Sequence, residues 1–294
     1  MSRLVFNFLL VLALVPSRLG AGNATVLGVL ETPQCNEKGG VRVRVLFAKS
    51  GKNWISLDSA EAGQSFLTAK MEWIVTYDGK SLGSVETTDP GFSTEYPWTY
   101  PRDRFLDPVS SQSLPAVKND GKRFHGWCSA PENRPLIVIS HGSAIDPSRW
   151  ATSVLSMKDK KRLFGKFQKV AGGALVCPQD PEVAVPFNYS LKNIEVLTCL
   201  KDKDGRQLVT LRLRPTKESE NCDGPLDSAW DQHTFMLSAS ATYLGVGLEL
   251  VGAGDFDGDG QSELLFWHTG YDEDGYLLFS KDFEHKTKYL WAYH

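Results

Sequence analysis

The chain has 294 residues, 41% of them hydrophobic and 23% charged, with a formal net charge of −3. This is ordinary globular composition with apolar content for a sizeable core, and it excludes a mostly disordered chain. Residues 1–22 carry Arg3 and Arg18 and no acid, so without them the charge falls to −5. A mildly acidic chain lacks the electropositive face that phosphate binding needs, which argues against nucleic acid as its partner.

The first element is a targeting segment. Arg3 precedes Leu4 to Val15, a run apolar except for Asn7, which Pro16 breaks and the small residues Gly20-Ala21-Gly22 follow. Such a run is too short for a bilayer, which needs about 20 residues. Residues 1–22 read as a cleaved secretory signal, with an uncleaved anchor or a buried helix as the alternative. The expected location is secreted or periplasmic. No later run is long and apolar enough to give the mature chain a transmembrane segment.

Most of the remainder reads as strands. Val41-Arg42-Val43-Arg44-Val45 alternates apolar and basic, the pattern of a strand with one buried face. Met71 to Tyr77 runs through Asp78-Gly79 into Leu82 to Val85, and Asp-Gly between β-prone runs signals a hairpin. Residues 23–88 form an expected N-terminal β unit. Residues 89–135 hold seven of the 15 prolines, with Phe92, Tyr96, Trp98, Tyr100 and Phe105 interleaved. Proline removes ladder donors, so this stretch reads as an aromatic-pinned excursion, either a binding loop or cover for a sheet edge.

Residues 136–294 form the expected C-terminal β unit. Ile139-Ser140-His141-Gly142-Ser143 places Ser beside His, but it is not G-x-S-x-G, and neighbours on a strand face opposite ways. One helix is expected. Ser156 and Asp159 make a capping pattern, Leu163, Phe164, Phe167 and Val170 share a face, and Gly172-Gly173 ends it. The basic residues of its other face, Lys158 to Lys169, read as solvated cover. Ile194 to Leu200, Asp204-Gly205 and Leu208 to Leu213 repeat the hairpin signal. Val246, Leu248 and Leu250 alternate, and Leu264 to Trp267, Tyr276 to Phe279 and Tyr289 to Tyr293 complete a meander.

The five cysteines, Cys35, Cys128, Cys177, Cys199 and Cys222, contain no C-x-x-C pair, so a zinc ribbon or thioredoxin motif has no support. Export makes one or two disulfides plausible, and Cys199 with Cys222 is the expected pair. The six histidines show neither H-x-H nor H-E-x-x-H spacing.

The chemistry concentrates in Asp255-Phe256-Asp257-Gly258-Asp259-Gly260-Gln261-Ser262-Glu263. Four carboxylates in so short a stretch repel one another unless a cation neutralises them. The two glycines let the chain bend around a centre. Asp255, Asp257 and Asp259 can then point inward, the Gln261 carbonyl can add an oxygen, and Glu263 can close the shell. An all-oxygen, flexible set selects a hard ion and favours Ca²⁺ over Mg²⁺. An acidic, solvent-facing turn without metal is the alternative. An EF-hand is excluded: its twelfth position is Phe266, and the flanks are β-patterned.

The stretch VGAGDFDGDGQSELLFW resembles the D-x-D-x-D-G-x-x-[DE] loop of FG-GAP/VCBS-type repeats, found in integrin α-subunit propellers and exported bacterial proteins. Gly126-Trp127, Arg134-Pro135-Leu136, Asp146-Pro147 to Trp150, Cys222-Asp223-Gly224-Pro225 and the tail from Gly275 widen it. Together they resemble a group of exported bacterial proteins with a single such loop near the C-terminus and no assigned active site. The resemblance implies a structural Ca²⁺ held by Asp255, Asp257, Asp259, Gln261 and Glu263. It also implies a mainly β fold of antiparallel sheets in an irregular propeller-like arrangement with one amphipathic helix, or else a pair of packed β units. The expected function is that of a non-catalytic calcium-binding module, a binding or envelope-associated protein with a protein or carbohydrate ligand. The alternative is a secreted glycoside or ester hydrolase, with acids such as Glu72, Asp146 and Asp231 drawn from scattered loops.

Overall fold

The computed structural model describes residues 24–31, 41–58, 66–68, 70–88, 105–106, 117, 124, 127, 134–143, 145–171, 174–180, 183–214, 232–270 and 273–292. The expected signal segment, Gly172-Gly173, Asp231, Cys35, Cys128, Cys222 and most of the proline-rich stretch lie outside these residues. Among the described residues the fold is mainly β, with antiparallel sheets and one α-helix. No helix among them is long and apolar enough to cross a membrane.

The first sheet contains β1 (Val26–Glu31), β2 (Arg42–Ser50), β3 (Asn53–Ser56), β4 (Lys70–Tyr77), β5 (Lys80–Thr88), β6 (Phe105–Leu106) and β7 (Leu136–Ile139). Its order is β3-β2-β1-β7-β4-β5, with β6 also paired to β2. The β4–β5 turn is the expected Asp78-Gly79, both at positive φ. The strand β7 was expected at the head of the C-terminal unit, yet it is hydrogen-bonded between β1 and β4. Its sequence, LIVI, is buried at every position, which suits a central strand and no edge. The first sheet therefore takes a strand from beyond the expected boundary.

The second sheet follows. Its strand β8 (Ala151–Thr152) precedes the helix α1 (Met157–Ala171) and a two-stranded ribbon, β9 (Ala174–Asp180) with β10 (Val183–Asn188). Then β11 (Ile194–Lys201), β12 (Gln207–Leu213), β13 (His233–Leu237) and β14 (Ala241–Val246) give the order β14-β13-β12-β11-β8. Ser156 caps α1 as expected: its Oγ accepts from Asp159 N–H at 3.1 Å and donates to the Asp159 carboxylate at 2.6 Å. Leu163 and Phe167 are buried against this sheet, while Val170 is exposed. The third sheet is the meander β15 (Leu248–Gly254), β16 (Glu263–Thr269), β17 (Glu273–Ser280) and β18 (His285–Ala292). It has the form of one propeller blade. The run Val246-Gly247-Leu248 is split, since Val246 ends β14 and Leu248 opens β15 in a different sheet.

Period-two alternation sets the layering. Leu265 and Trp267 of β16 join the core facing Leu27, Val29, Ile137 and Ile139 of the first sheet. Leu264 and Phe266 join Leu208, Met236 and Leu244 of the second sheet. The third sheet is therefore the middle layer, buried on both faces. The arrangement is propeller-like in that successive antiparallel sheets pack face to face, and irregular in that they differ in strand number.

Two expectations need correction. The alternation at Val41 to Val45 does not mark one solvent face, because Arg44 is buried. Its Nε donates to Glu31 Oε1 at 2.5 Å, and its guanidinium lies 4.5 Å from the Trp291 ring centroid. A packed sheet replaces that solvent, and the ion pair offsets desolvation. Cys199 is not half of a disulfide. Its thiol is free and buried in the core under α1, and burial pushes its pKa up.

Candidate metal centre

The acidic loop joins β15 to β16 across the middle layer. Gly258 and Gly260 adopt φ of +75° and +84°, a left-handed conformation that side chains with a Cβ resist. These turns bring Asp255, Asp257 and Glu263 together, with one ligand oxygen from each lying within 4.8 Å of the others. Asp259 and Gln261 are exposed and outside that group; the Gln261 N–H donates to Asp259 Oδ1 at 2.8 Å. Of the four carboxylates among the expected ligands, the structure thus gathers three.

The electrostatics show what the loop lacks. Glu263 is 1% exposed, and its Oε2 accepts the Phe256 N–H at 2.8 Å. Burial, reinforced by the Asp257 charge, pushes the Glu263 carboxyl up to about 8. Burial also raises Asp255; the Gly260 N–H, donating to Asp255 Oδ2 at 3.0 Å, opposes the shift. Asp255 Oδ1 is buried without a hydrogen-bond partner. Such an oxygen is costly where no donor reaches it. The described cation at the site is the Lys49 ammonium, which donates to Asp257 Oδ2.

The donor chemistry fits a divalent ion. A group of carboxylate oxygens within 4.8 Å of one another, one of them orphaned, matches the oxygen ligands a hard cation takes at about 2.3–2.6 Å. Asp255, Asp257 and Glu263 are the side chains that would hold it.

The surroundings fix the loop in ways the sequence did not signal. Asp146 accepts the Ser262 hydroxyl at 2.5 Å and the Ser148 and Trp150 N–H groups at 3.0 Å. The Asp255 N–H donates to the Ile145 carbonyl at 2.9 Å. Gly142 has φ +110°, and a Cβ there would lie 2.8 Å from the Phe256 carbonyl oxygen. Gly142, Ile145 and Asp146 therefore clasp the loop. Asp146, considered as a catalytic acid, serves as its brace.

Ser140 and His141 do meet. Ser140 Oγ lies 3.1 Å from His141 Nδ1, and both line a cavity of about 380 Å³ with Glu72, Lys70 and Thr68. Ser140 Oγ also accepts the Val26 N–H at 2.9 Å, which ties β7 to β1. None of the hydrogen bonds of His141 among the described residues reaches a carboxylate, so no acid orients the imidazole there. No protein-family model, curated protein or solved structure matches the chain.

Proposed function

We propose that the chain is an exported, non-catalytic calcium-binding β-protein, a binding or envelope-associated module in which Ca²⁺ stiffens the middle layer of a face-to-face stack. The observation that carries this reading is the clustered carboxylate group of Asp255, Asp257 and the buried Glu263, with an orphaned oxygen at Asp255. The FG-GAP/VCBS-like spacing supports the choice of ion, with Asp259 and the Gln261 carbonyl as further oxygens that a bound ion would recruit. Residues 1–22 support export. A protein or carbohydrate is the proposed ligand class.

The test is thermal unfolding in calcium and in chelator. Calcium raises the melting temperature of the wild-type protein and leaves Asp257→Ala unchanged. Equal melting temperatures in calcium and chelator for the wild type would remove the metal from the account. A hydrolase remains the second reading, because Ser140, His141 and Glu72 share a cavity. Turnover of an ester or glycoside that Ser140→Ala or Glu72→Gln abolishes would favour it.

A further inference from the structure

We infer that Lys49 is a built-in competitor for the cation: its ammonium holds the Asp257 position until a divalent ion displaces it, so metal occupancy is coupled to the tie between the first and third sheets. The inference rests on the calcium reading of the loop.

Lys49 sits near the end of β2, in another sheet and 208 residues from Asp257. The contact is desolvated on both sides, with the Asp257 side chain 1% and the Lys49 side chain 18% exposed. One positive charge thus stands among three acids.

Both oxygens of Asp257 are engaged. Oδ1 accepts the Asp259 N–H at 3.2 Å, and Oδ2 accepts Lys49. A cation that uses Asp257 must therefore displace a donor or lie beside one. The Asp259 N–H is fixed in the turn by its backbone, whereas the ammonium rides on a flexible four-carbon stem. Two cations sharing one carboxylate in a desolvated site repel each other strongly, so the stem gives way.

A resting place is at hand: the ammonium already lies 5.5 Å from the Trp54 ring centroid, within reach of a cation–π contact. The β2–β3 hairpin keeps its other links to the third sheet. Lys281 Nζ donates to Asn53 Oδ1 at 2.9 Å, and Thr287 Oγ1 donates to the Trp54 carbonyl at 3.3 Å. Ion binding exchanges one tie and leaves the hairpin docked.

The experiment titrates CaCl₂ into the full chain against a fluorescent calcium indicator, for wild type, Lys49→Met and Lys49→Gln. In parallel, acylation of the Lys49 amine in the wild type is followed by mass spectrometry with and without calcium. The expected result is about tenfold tighter calcium binding in both variants, equivalent to about 1.4 kcal/mol, and faster Lys49 acylation when calcium is present. Calcium binding of unchanged or weaker affinity in the variants, or slower acylation with calcium, overturns the displacement and leaves the metal site standing. Absence of calcium binding in all three proteins overturns the metal reading and this inference together.

Discussion

Two groups of charge, one packed against the third sheet and one in its loop, are built differently. At one, Glu31 meets Arg44 at 2.5 Å, its second oxygen accepts the Tyr276 hydroxyl at 3.2 Å, and the guanidinium lies against Trp291. One acid faces one base, and aromatic rings cover both. At the other, Asp255, Asp257 and Glu263 face one lysine, and an oxygen of Asp255 has no partner. In the first group the acid is paired with a base. Under the calcium proposal the second takes a charge from outside. Buried acids do not by themselves mark a metal site; the calcium proposal rests on the imbalance of acids over bases among the described residues.

Breaking the complete pair gives the largest effect. Arg44→Met removes the guanidinium from the buried Glu31 carboxyl, at a cost of about 3–5 kcal/mol in denaturant unfolding. That loss is equal with and without calcium. A loss that calcium reverses would mean the two groups are one system.

The incomplete group responds to its ion. At a calcium concentration about 100 times Kd, mass action adds about 2.7 kcal/mol to the stability of the wild type. Arg44→Met keeps this increment, and Asp257→Ala lacks it.

Proton competition sharpens the contrast. In chelator, the Glu263 carboxyl titrates at about 8 in the folded chain, against an ordinary value of 4.5. The folded state then holds the extra proton between those values, so this group's contribution to stability falls as pH rises from about 4.5 to about 8. Calcium needs the carboxylate and is favoured by the same rise. The gap between the calcium and chelator unfolding curves therefore widens from pH 5 to pH 8. A constant gap would separate Glu263 from the ion.

The smallest effect is at the clasp. Ser262→Ala removes the hydroxyl that donates to Asp146, which keeps its two backbone donors. The expected cost is about 1 kcal/mol, with weaker calcium binding in the indicator titration. Unaltered binding would make Gly142, Ile145 and Asp146 a cover with no hold on the site.

What the sequence disclosed follows from range. The Asp-Gly hairpins, the Ser156 cap and the Asp/Gly loop are local patterns, and each forms where expected. The strands of the meander are local too, but the burial of both their faces is not. Leu264 and Leu265 look alike in sequence, and only the stacking of two other sheets sends them to different cores. Arg44 reads as solvent-facing because its counterion lies on another strand. Of the expected ligands, the clustering of Asp255, Asp257 and Glu263 was legible from spacing, whereas Asp259 is exposed and accepts the Gln261 N–H. Lys49 carried no signal and Asp146 was read as a scattered acid, since each reaches the loop across more than a hundred residues.

Calorimetric titration of calcium into chelator-treated protein tests the central claim most directly. The account predicts a single saturable site in the wild type that is lost in both Asp257→Ala and Glu263→Gln, with magnesium binding far more weakly. Heat no greater than dilution in the wild type, or binding that survives both substitutions, would contradict it.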